Sequence, residues 1–551
     1  MPNATVATYL LQRLKEAGLK HAFGVPGDYA LTFMDRLIAS GIEFVGTCNE
    51  LNAGYAADAY ARINGIGCIA VTWGVGGFSA MNAVAGAYAE QVPLVVIVGV
   101  PRTTQLKASM LLHHGVGNVS TMRRAFSHIT VASVLLDDAG EAPRRIDYAL
   151  SRCIAEKRPV LIEIPADMVD KPCVKPAPFK PLPRPPSNAD ALGEALDEVS
   201  ALLTAAKRPV ILGGVELHRY GLTRDFYALI EKAKLPVATT LLGKTVISER
   251  HPLAIGVYEG ASSRQDVRAI VEKADVLLCL GAWISDINLG VHTGRLEGRH
   301  LILANSGRLK ISQHVYEDVW IGDVVSGLTA RLPEKGLPHP AFKPVSELLR
   351  AEYTPDDTRA LTVSRVMSRI NAFLGPETTV IAETGDSLFA AADLVLHHDV
   401  GFIGQAFYLS IGYALPATLG AALADAARRP LAFIGDGAFQ MTAQELSTLC
   451  RRKSNAIILL MNNGGYTTER MIHEGPYNDI QPWAYHKLPE VMGGGWGVRV
   501  KTEGEFETAL SRARDSNEGP ALIELMLDTY DTSDALKRLG AELSPDRGRK
   551  G

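Results

Sequence analysis

The stretch LAFIGDGAFQMTAQELSTLCRRKSNAIILLMNNGGYTTE, residues 431–469, restricts the folds open to this chain more than any other. A short apolar run ends in Gly435-Asp436-Gly437, an amphipathic segment follows, and a second apolar run ends in Asn462-Asn463-Gly464-Gly465. Glycine turns close both runs and a helical pattern separates them, so they read as strand, helix, strand. A helical crossover makes the two strands parallel. Asp436 and Asn463 then emerge at neighbouring carboxyl ends of one sheet, where ligands of parallel sheets bind.

The residue types at those ends point to a particular chemistry. Glycines where a strand opens into a helix leave backbone N–H groups free and let a phosphate come close. An aspartate beside a phosphate is unfavourable unless a cation lies between them. Mg2+ shared by a carboxylate, an amide oxygen and diphosphate oxygens resolves that conflict. Either turn alone is an ordinary turn composition. The two joined by one helix and one strand are far more specific.

The remaining sequence organises around the same pattern. Proline-rich stretches at 171–190 and 332–357 cannot hold a central strand, and the second carries one short helical piece. They divide the 551 residues into blocks of 1–170, 190–331 and 358–551. Each block alternates β-branched runs with helical patterns, which predicts three α/β domains with mostly parallel sheets. The first and third blocks echo each other, since CIAVTWGVGGFSAMNAVAGAYAEQVPLVVIVG follows the same strand, glycine turn, helix, strand order. The middle block reads as a Rossmann-like sheet without a G-x-G-x-x-G fingerprint, so a dinucleotide there is not expected.

Composition excludes several function classes. A net charge of -4 with 21% charged residues is not that of a nucleic-acid binder. No apolar run reaches the roughly 20 residues a membrane span needs, and the first residues lack the apolar core of an export signal. Six scattered cysteines with no C-x-x-C pair suggest neither a disulfide framework nor a zinc site, and fit a reducing cytoplasm.

In chain order, FGVPGDYAL, NELNAGYAADAYAR, HH, AETGDS, FIGQ, SIGYALP, GDGAFQ, NNGGYTTE and YNDI cover essentially the whole sequence. Together they resemble the thiamine-diphosphate enzymes, in the branch of the pyruvate, indolepyruvate, phenylpyruvate and branched-chain 2-oxo acid decarboxylases. The resemblance implies the thiamine-diphosphate-binding fold: a pyrimidine-binding domain at 1–170, a middle domain at 190–331 and a diphosphate-binding domain at 358–551. It implies thiamine diphosphate and Mg2+ as cofactors and active sites between subunits, with a homodimer as the minimum unit and a homotetramer as the usual one. The implied reaction is non-oxidative decarboxylation of a 2-oxo acid to an aldehyde and CO2, through a ylide and an enamine of the cofactor. The alternative is a carboligase that forms 2-hydroxy ketones.

Carried onto this chain, the resemblance assigns roles residue by residue. Glu50 would hydrogen-bond the aminopyrimidine and favour the tautomer that removes the thiazolium proton, although alone it reads as a carboxylate at a helix start. Ile411 would wedge the cofactor into its bent form. Thr384, Asp386, Leu409, Gly435, Gly437, Ala438 and Tyr466 would complete the cradle, and Asp436, Asn463 and the Gly465 carbonyl would hold Mg2+. Asp28, Glu469 and the adjacent His113 and His114, at the end of an apolar helical run, match the acid/base set. Two proton steps remain once CO2 has left, and groups of differing pKa can serve both.

Departures from the family pattern bear on the substrate. Leu388 and Ile287 stand where pyruvate-restricted relatives carry Trp and Tyr, Thr468 stands where Ile or Val is frequent, and Ile472 completes the expected substrate wall. Lost ring volume predicts a 2-oxo acid larger than pyruvate, with phenylpyruvate or indolepyruvate ahead of branched aliphatic acids. One methylene discriminates by only about 1–3 kcal/mol, so several substrates should be tolerated. Leu409 and Ala438 replace a common Gly and Ser. The last segment, TSDALKRLGAELSPDRGRKG, predicts a short helix acting as a lid and a disordered basic tail.

Overall fold

Strands buried on both faces need apolar residues at every position, and the longest apolar runs become the central strands of the sheets. The computed structural model describes residues 4–107, 110–181, 184–296, 300–350, 353–396 and 400–543. The expected basic tail, 544–551, lies outside the described residues.

The first sheet holds β1 (His21–Gly24), β2 (Glu43–Gly46), β3 (Gly67–Thr72), β4 (Leu94–Val100), β5 (Ala132–Leu135) and β6 (Val160–Pro165). All are parallel, in the order β2-β1-β3-β4-β6-β5. The middle sheet holds β7 (Pro209–Gly213), β8 (Val237–Thr239), β9 (Ala254–Val257), β10 (Val276–Leu280), β11 (His300–Asn305), β12 (Arg308–Ile311) and β13 (His314–Glu317). Its order is β13-β12-β11-β10-β7-β8-β9. β7 to β11 form the parallel Rossmann-like part, and β12 and β13 add an antiparallel edge that the pattern did not foretell.

The third sheet holds β14 (Thr378–Ala382), β15 (Gly401–Gly404), β16 (Arg429–Gly435), β17 (Ile457–Asn462), β18 (Trp496–Val500) and β19 (Ala521–Met526). Its order, β15-β14-β16-β17-β19-β18, again all parallel, repeats that of the first sheet strand for strand. The echo between the outer blocks is thus a repeated topology.

One apolar cluster spans the first domain and the facing helices of the third. The helix Glu50–Asn64 begins where the Asn49 side chain accepts from the Asn52 N–H and ends at Gly65, whose φ of 92° is free for glycine. Its alanine-rich flank meets the helix Ala414–Ala424 so closely that a Cβ at Gly420 would lie 2.0 Å from the Ala56 carbonyl oxygen. Tyr413 donates to Asp58 at 2.6 Å, and Arg62 pairs with the same carboxylate. This packing sets the first and third domains against each other within one chain. Among the described residues no helix is long and apolar enough to cross a membrane, and all six cysteines are free thiols.

Candidate active site

A cavity of about 600 Å³ opens beyond the carboxyl ends of β14, β16 and β17. Thr384, Asp386, Leu409, Ile411, Gly435, Asp436, Gly437, Ala438, Asn463, Gly465 and Tyr466 line it, together with Ile287, Leu388, Thr468, Glu469 and Ile472. Residues from three separate strand ends and from a middle-domain loop therefore meet in one place.

Asp436 opens the short helix after β16 and is 1% exposed. Burial pushes its carboxyl up to about 6, although the Gly437 and Gly464 N–H groups each donate to it at 2.8 Å. The Asn463 Oδ1 is buried with no hydrogen-bond partner. A buried carboxylate beside an orphaned amide oxygen costs stability unless a cation takes both. The backbone around them is kept bare. A Cβ at Gly435 would meet nothing within 4 Å and would stand in the cavity, whereas one at Gly465, where φ is 149°, would lie 2.1 Å from the Asn478 carbonyl oxygen. The residues present fit a divalent cation holding a diphosphate.

Asp386 does more than line the cavity. It accepts from the Ser533 N–H at 2.8 Å and the Ser533 hydroxyl at 2.5 Å, and burial pushes its carboxyl up to about 6. Ser533 precedes the helix Asp534–Leu543, which Arg538 ties to Asp393 at 2.8 Å and to the Ser262 carbonyl oxygen at 2.7 Å. Leu536, Leu539 and Leu543 of that helix form a cavity wall, as do Val291, Val363, Phe389 and Met471. None of these had been singled out in the sequence, yet leucines at 536, 539 and 543 are a helical stripe that marks a buried face. Leu409 keeps a left-handed backbone, with φ of 57°, at a cost of about 1–2 kcal/mol to a residue with a Cβ. That conformation is why glycine suits this position.

Four expected site residues lie elsewhere. Asp28, Glu50, His113 and His114 do not line the cavity. Asp28 Oδ2 lies 2.7 Å from His113 Nε2, and the His113 and His114 rings meet edge to face at 4.7 Å. The histidines sit in a turn and not, as the pattern suggested, at the end of a helix; residues 110–112, directly before them, belong to no helix. Glycines after the pair break the helical repeat, and His114 itself adopts a φ of 65°. A Cβ at Gly74 would strike the His114 carbonyl oxygen at 2.1 Å, so the turn is seated on the start of the helix Val75–Ala89. The His114 Nδ1 is buried and has no hydrogen-bond partner. Glu50, half-buried, starts its helix and lies beside Gly76. Met110, Leu111 and Val116, around the histidines, are exposed apolar residues.

Bare glycine turns, a buried carboxylate and an unpartnered amide oxygen at the ends of parallel strands define a site for an organic diphosphate carried with a divalent cation. Comparison with known families agrees. Descriptions of thiamine pyrophosphate enzymes match the chain in three parts: the N-terminal TPP binding domain over residues 4–123, the central domain over 196–329 and the C-terminal TPP binding domain over 383–525. An alpha-keto-acid decarboxylase of Mycolicibacterium paratuberculosis is 37% identical over 99% of this chain and 98% of its own length. A probable pyruvate decarboxylase of Schizosaccharomyces pombe is 33% identical, covering 99% and 97%. Pyruvate decarboxylase 4 of Arabidopsis thaliana is 35% identical, covering 99% and 92%. The chain belongs to the family of thiamine-diphosphate-dependent 2-oxo acid decarboxylases.

Proposed function

We propose that the protein converts 2-oxo acids larger than pyruvate, aromatic acids such as phenylpyruvate and indolepyruvate ahead of branched aliphatic ones, to aldehydes and CO2. The observation that carries this reading is the cavity wall, where Ile287, Leu388 and Thr468 put aliphatic or small side chains around the cavity that Glu469 also lines.

Thiamine diphosphate, when bound, supplies a carbon nucleophile for the 2-oxo carbon and a sink for the electron pair that CO2 leaves behind. Asp436, Asn463 and the Gly465 carbonyl would hold Mg2+, and Gly435 and Gly437 would let the diphosphate reach the backbone. Thr384, Asp386, Leu409, Ile411, Ala438 and Tyr466 form the rest of the cradle. Glu50 would hydrogen-bond the aminopyrimidine and serve as its proton carrier, and Asp28, His113, His114 and Glu469 would supply the acid/base groups for the proton steps at the product carbon and its hydroxyl. The apolar wall excludes water from that exchange.

Glu50 and the histidine turn reach the cavity from a second copy of the chain. The exposed apolar residues around the histidines, and Ile472 at 76% exposure on the cavity rim, suit burial in such a homodimer. Two dimers forming a homotetramer is the expected assembly.

The test is aldehyde release from the Mg2+-loaded holoenzyme, coupled to NADH oxidation, on pyruvate, 2-oxoisocaproate, phenylpyruvate and indolepyruvate. Higher kcat/KM on the larger acids is expected, and preference for pyruvate overturns the size reading. Leu388→Trp fills the wall and should cut kcat/KM on the aromatic acids by about 10-fold or more relative to pyruvate. A 2-hydroxy ketone as the main product, with aldehyde added, would assign the site to carboligation.

A further inference from the structure

The stretch YNDI, residues 477–480, has no part in the reaction as proposed, yet its asparagine is 2% exposed. Asn478 lies against the helix Thr467–Ile472, which brings Thr468, Glu469 and Ile472 to the cavity. Six residues are far fewer than a helix needs to hold itself in water. Packing within the chain does little for it, since among its residues only Thr467 is buried, while Met471 and Ile472 are 42% and 76% exposed. Hydrogen bonds from Asn478 close both of its ends. The Asn478 carbonyl oxygen accepts from the N–H of Tyr466, which caps the helix start, at 2.9 Å. Its side-chain amide donates to the carbonyl oxygen of His473, which caps the helix end, at 2.9 Å. One residue thus satisfies groups at both termini that the helix cannot pair for itself. Arg470, midway along, reaches the same Asn478 carbonyl oxygen at 3.4 Å and Asp479 at 2.5 Å. Asp479 pairs with Gly465 in an isolated bridge, so the bracket is seated on the turn that follows β17.

We infer that Asn478 is a positioning residue for Glu469 and for the substrate wall of Thr468 and Ile472, an inference that rests on the acid/base reading proposed above. Its two bonds have separate consequences. The bond from Tyr466 goes to the main chain and survives any substitution at 478, so the turn of Asn463 and Gly465 keeps its anchor. The bond to His473 belongs to the side chain alone. Without it the far end of the helix is released while the near end stays tethered, and Glu469 and Ile472 swing with the released end. A misplacement of about 1 Å at a reacting group costs up to about 100-fold in rate. The side chain of Asn478 therefore acts on turnover and on substrate choice, and leaves the cofactor cradle in place.

The experiment compares wild type, Asn478→Asp, Asn478→Ala and Glu469→Gln as Mg2+-loaded holoenzymes, reading kcat and KM on pyruvate and phenylpyruvate. Titration of each apo protein with thiamine diphosphate at fixed Mg2+, and thermal melting, accompany the kinetics. Asn478→Asp keeps the volume and removes the donor, and is expected to lower kcat by about 10- to 100-fold with cofactor affinity unchanged. The ratio of kcat/KM between the two acids should shift by about threefold or more, because Thr468 and Ile472 move with Glu469. Asn478→Ala, which sets no charge against the His473 carbonyl, should show the same pattern. Wild-type kcat in both variants, or a fall in kcat with the substrate ratio unchanged, overturns the role of Asn478 provided Glu469→Gln is impaired. Loss of cofactor binding or of cooperative melting in both variants also overturns it, since the residue would then serve the fold at large. A Glu469→Gln enzyme with wild-type kcat overturns the acid/base reading itself, and this inference with it.

Discussion

Asp436→Asn is expected to remove Mg2+-dependent binding of thiamine diphosphate almost completely. The substitution keeps the volume of the side chain and takes away its charge. It also turns one acceptor into a donor, although both carboxylate oxygens now accept backbone N–H groups, from Gly437 and Gly464. One of those N–H groups would then face an NH2 in a buried site. Partners that merely orient a metal ligand change affinity by about 10- to 100-fold, so loss of the anionic ligand should exceed about 100-fold. Titration of the apo protein with cofactor at fixed Mg2+, followed by fluorescence or calorimetry, checks this. Binding within a few-fold of wild type would remove Asp436 from the cation site. A pH dependence accompanies it. Burial raises the Asp436 carboxyl to about 6, so the ionised form destabilises the fold above that pH until a cation offsets its cost. Wild-type affinity should accordingly fall as pH drops through 6, where a proton competes with the metal.

Glu50→Gln should leave cofactor affinity within about an order of magnitude and lower kcat by about 10²- to 10⁴-fold, the span general acid–base groups supply. Glutamine can still make the proposed hydrogen bond to the aminopyrimidine and leaves the helix start at Asn49 intact, but cannot exchange a proton. The comparison with Asp436→Asn is informative because the defects separate: one is lost binding, the other lost turnover with binding retained. Steady-state kinetics at saturating cofactor, beside the same titration, gives both readings. Turnover within about threefold of wild type would reduce Glu50 to a helix-capping carboxylate.

The sequence made the strand ends legible and the side-chain surroundings much less so. Asp436 and Asn463 could be placed together because two apolar runs and one helix leave few ways to pack a parallel sheet. That the Asn463 oxygen has no protein partner depends on what surrounds the turn, which no local pattern encodes. Asp386 shows the same limit: its bonds to Ser533 close a gap of 147 residues. The helical setting expected for the histidine pair failed for a local reason, since LL before HH continues an apolar pattern whereas the glycines after it release the chain into a turn with φ of 65° at His114. Leu536, Leu539 and Leu543 were visible as a stripe, but a stripe names no neighbour. The repeated strand order of the outer sheets was foreshadowed only as a likeness of patterns, because sheet order is fixed by packing over distances that spacing does not report.

The separation of Glu50 and the histidine turn from the cavity has a genetic consequence on the proposed assembly. A chain damaged only in its first domain still carries a sound diphosphate cradle, and a chain damaged at Asp436 still carries a sound Glu50. When both kinds are synthesised in one cell, a mixed dimer holds one site built from the two intact halves and another built from the two damaged ones. Lesions in the two domains therefore behave as separate complementation groups within a single gene.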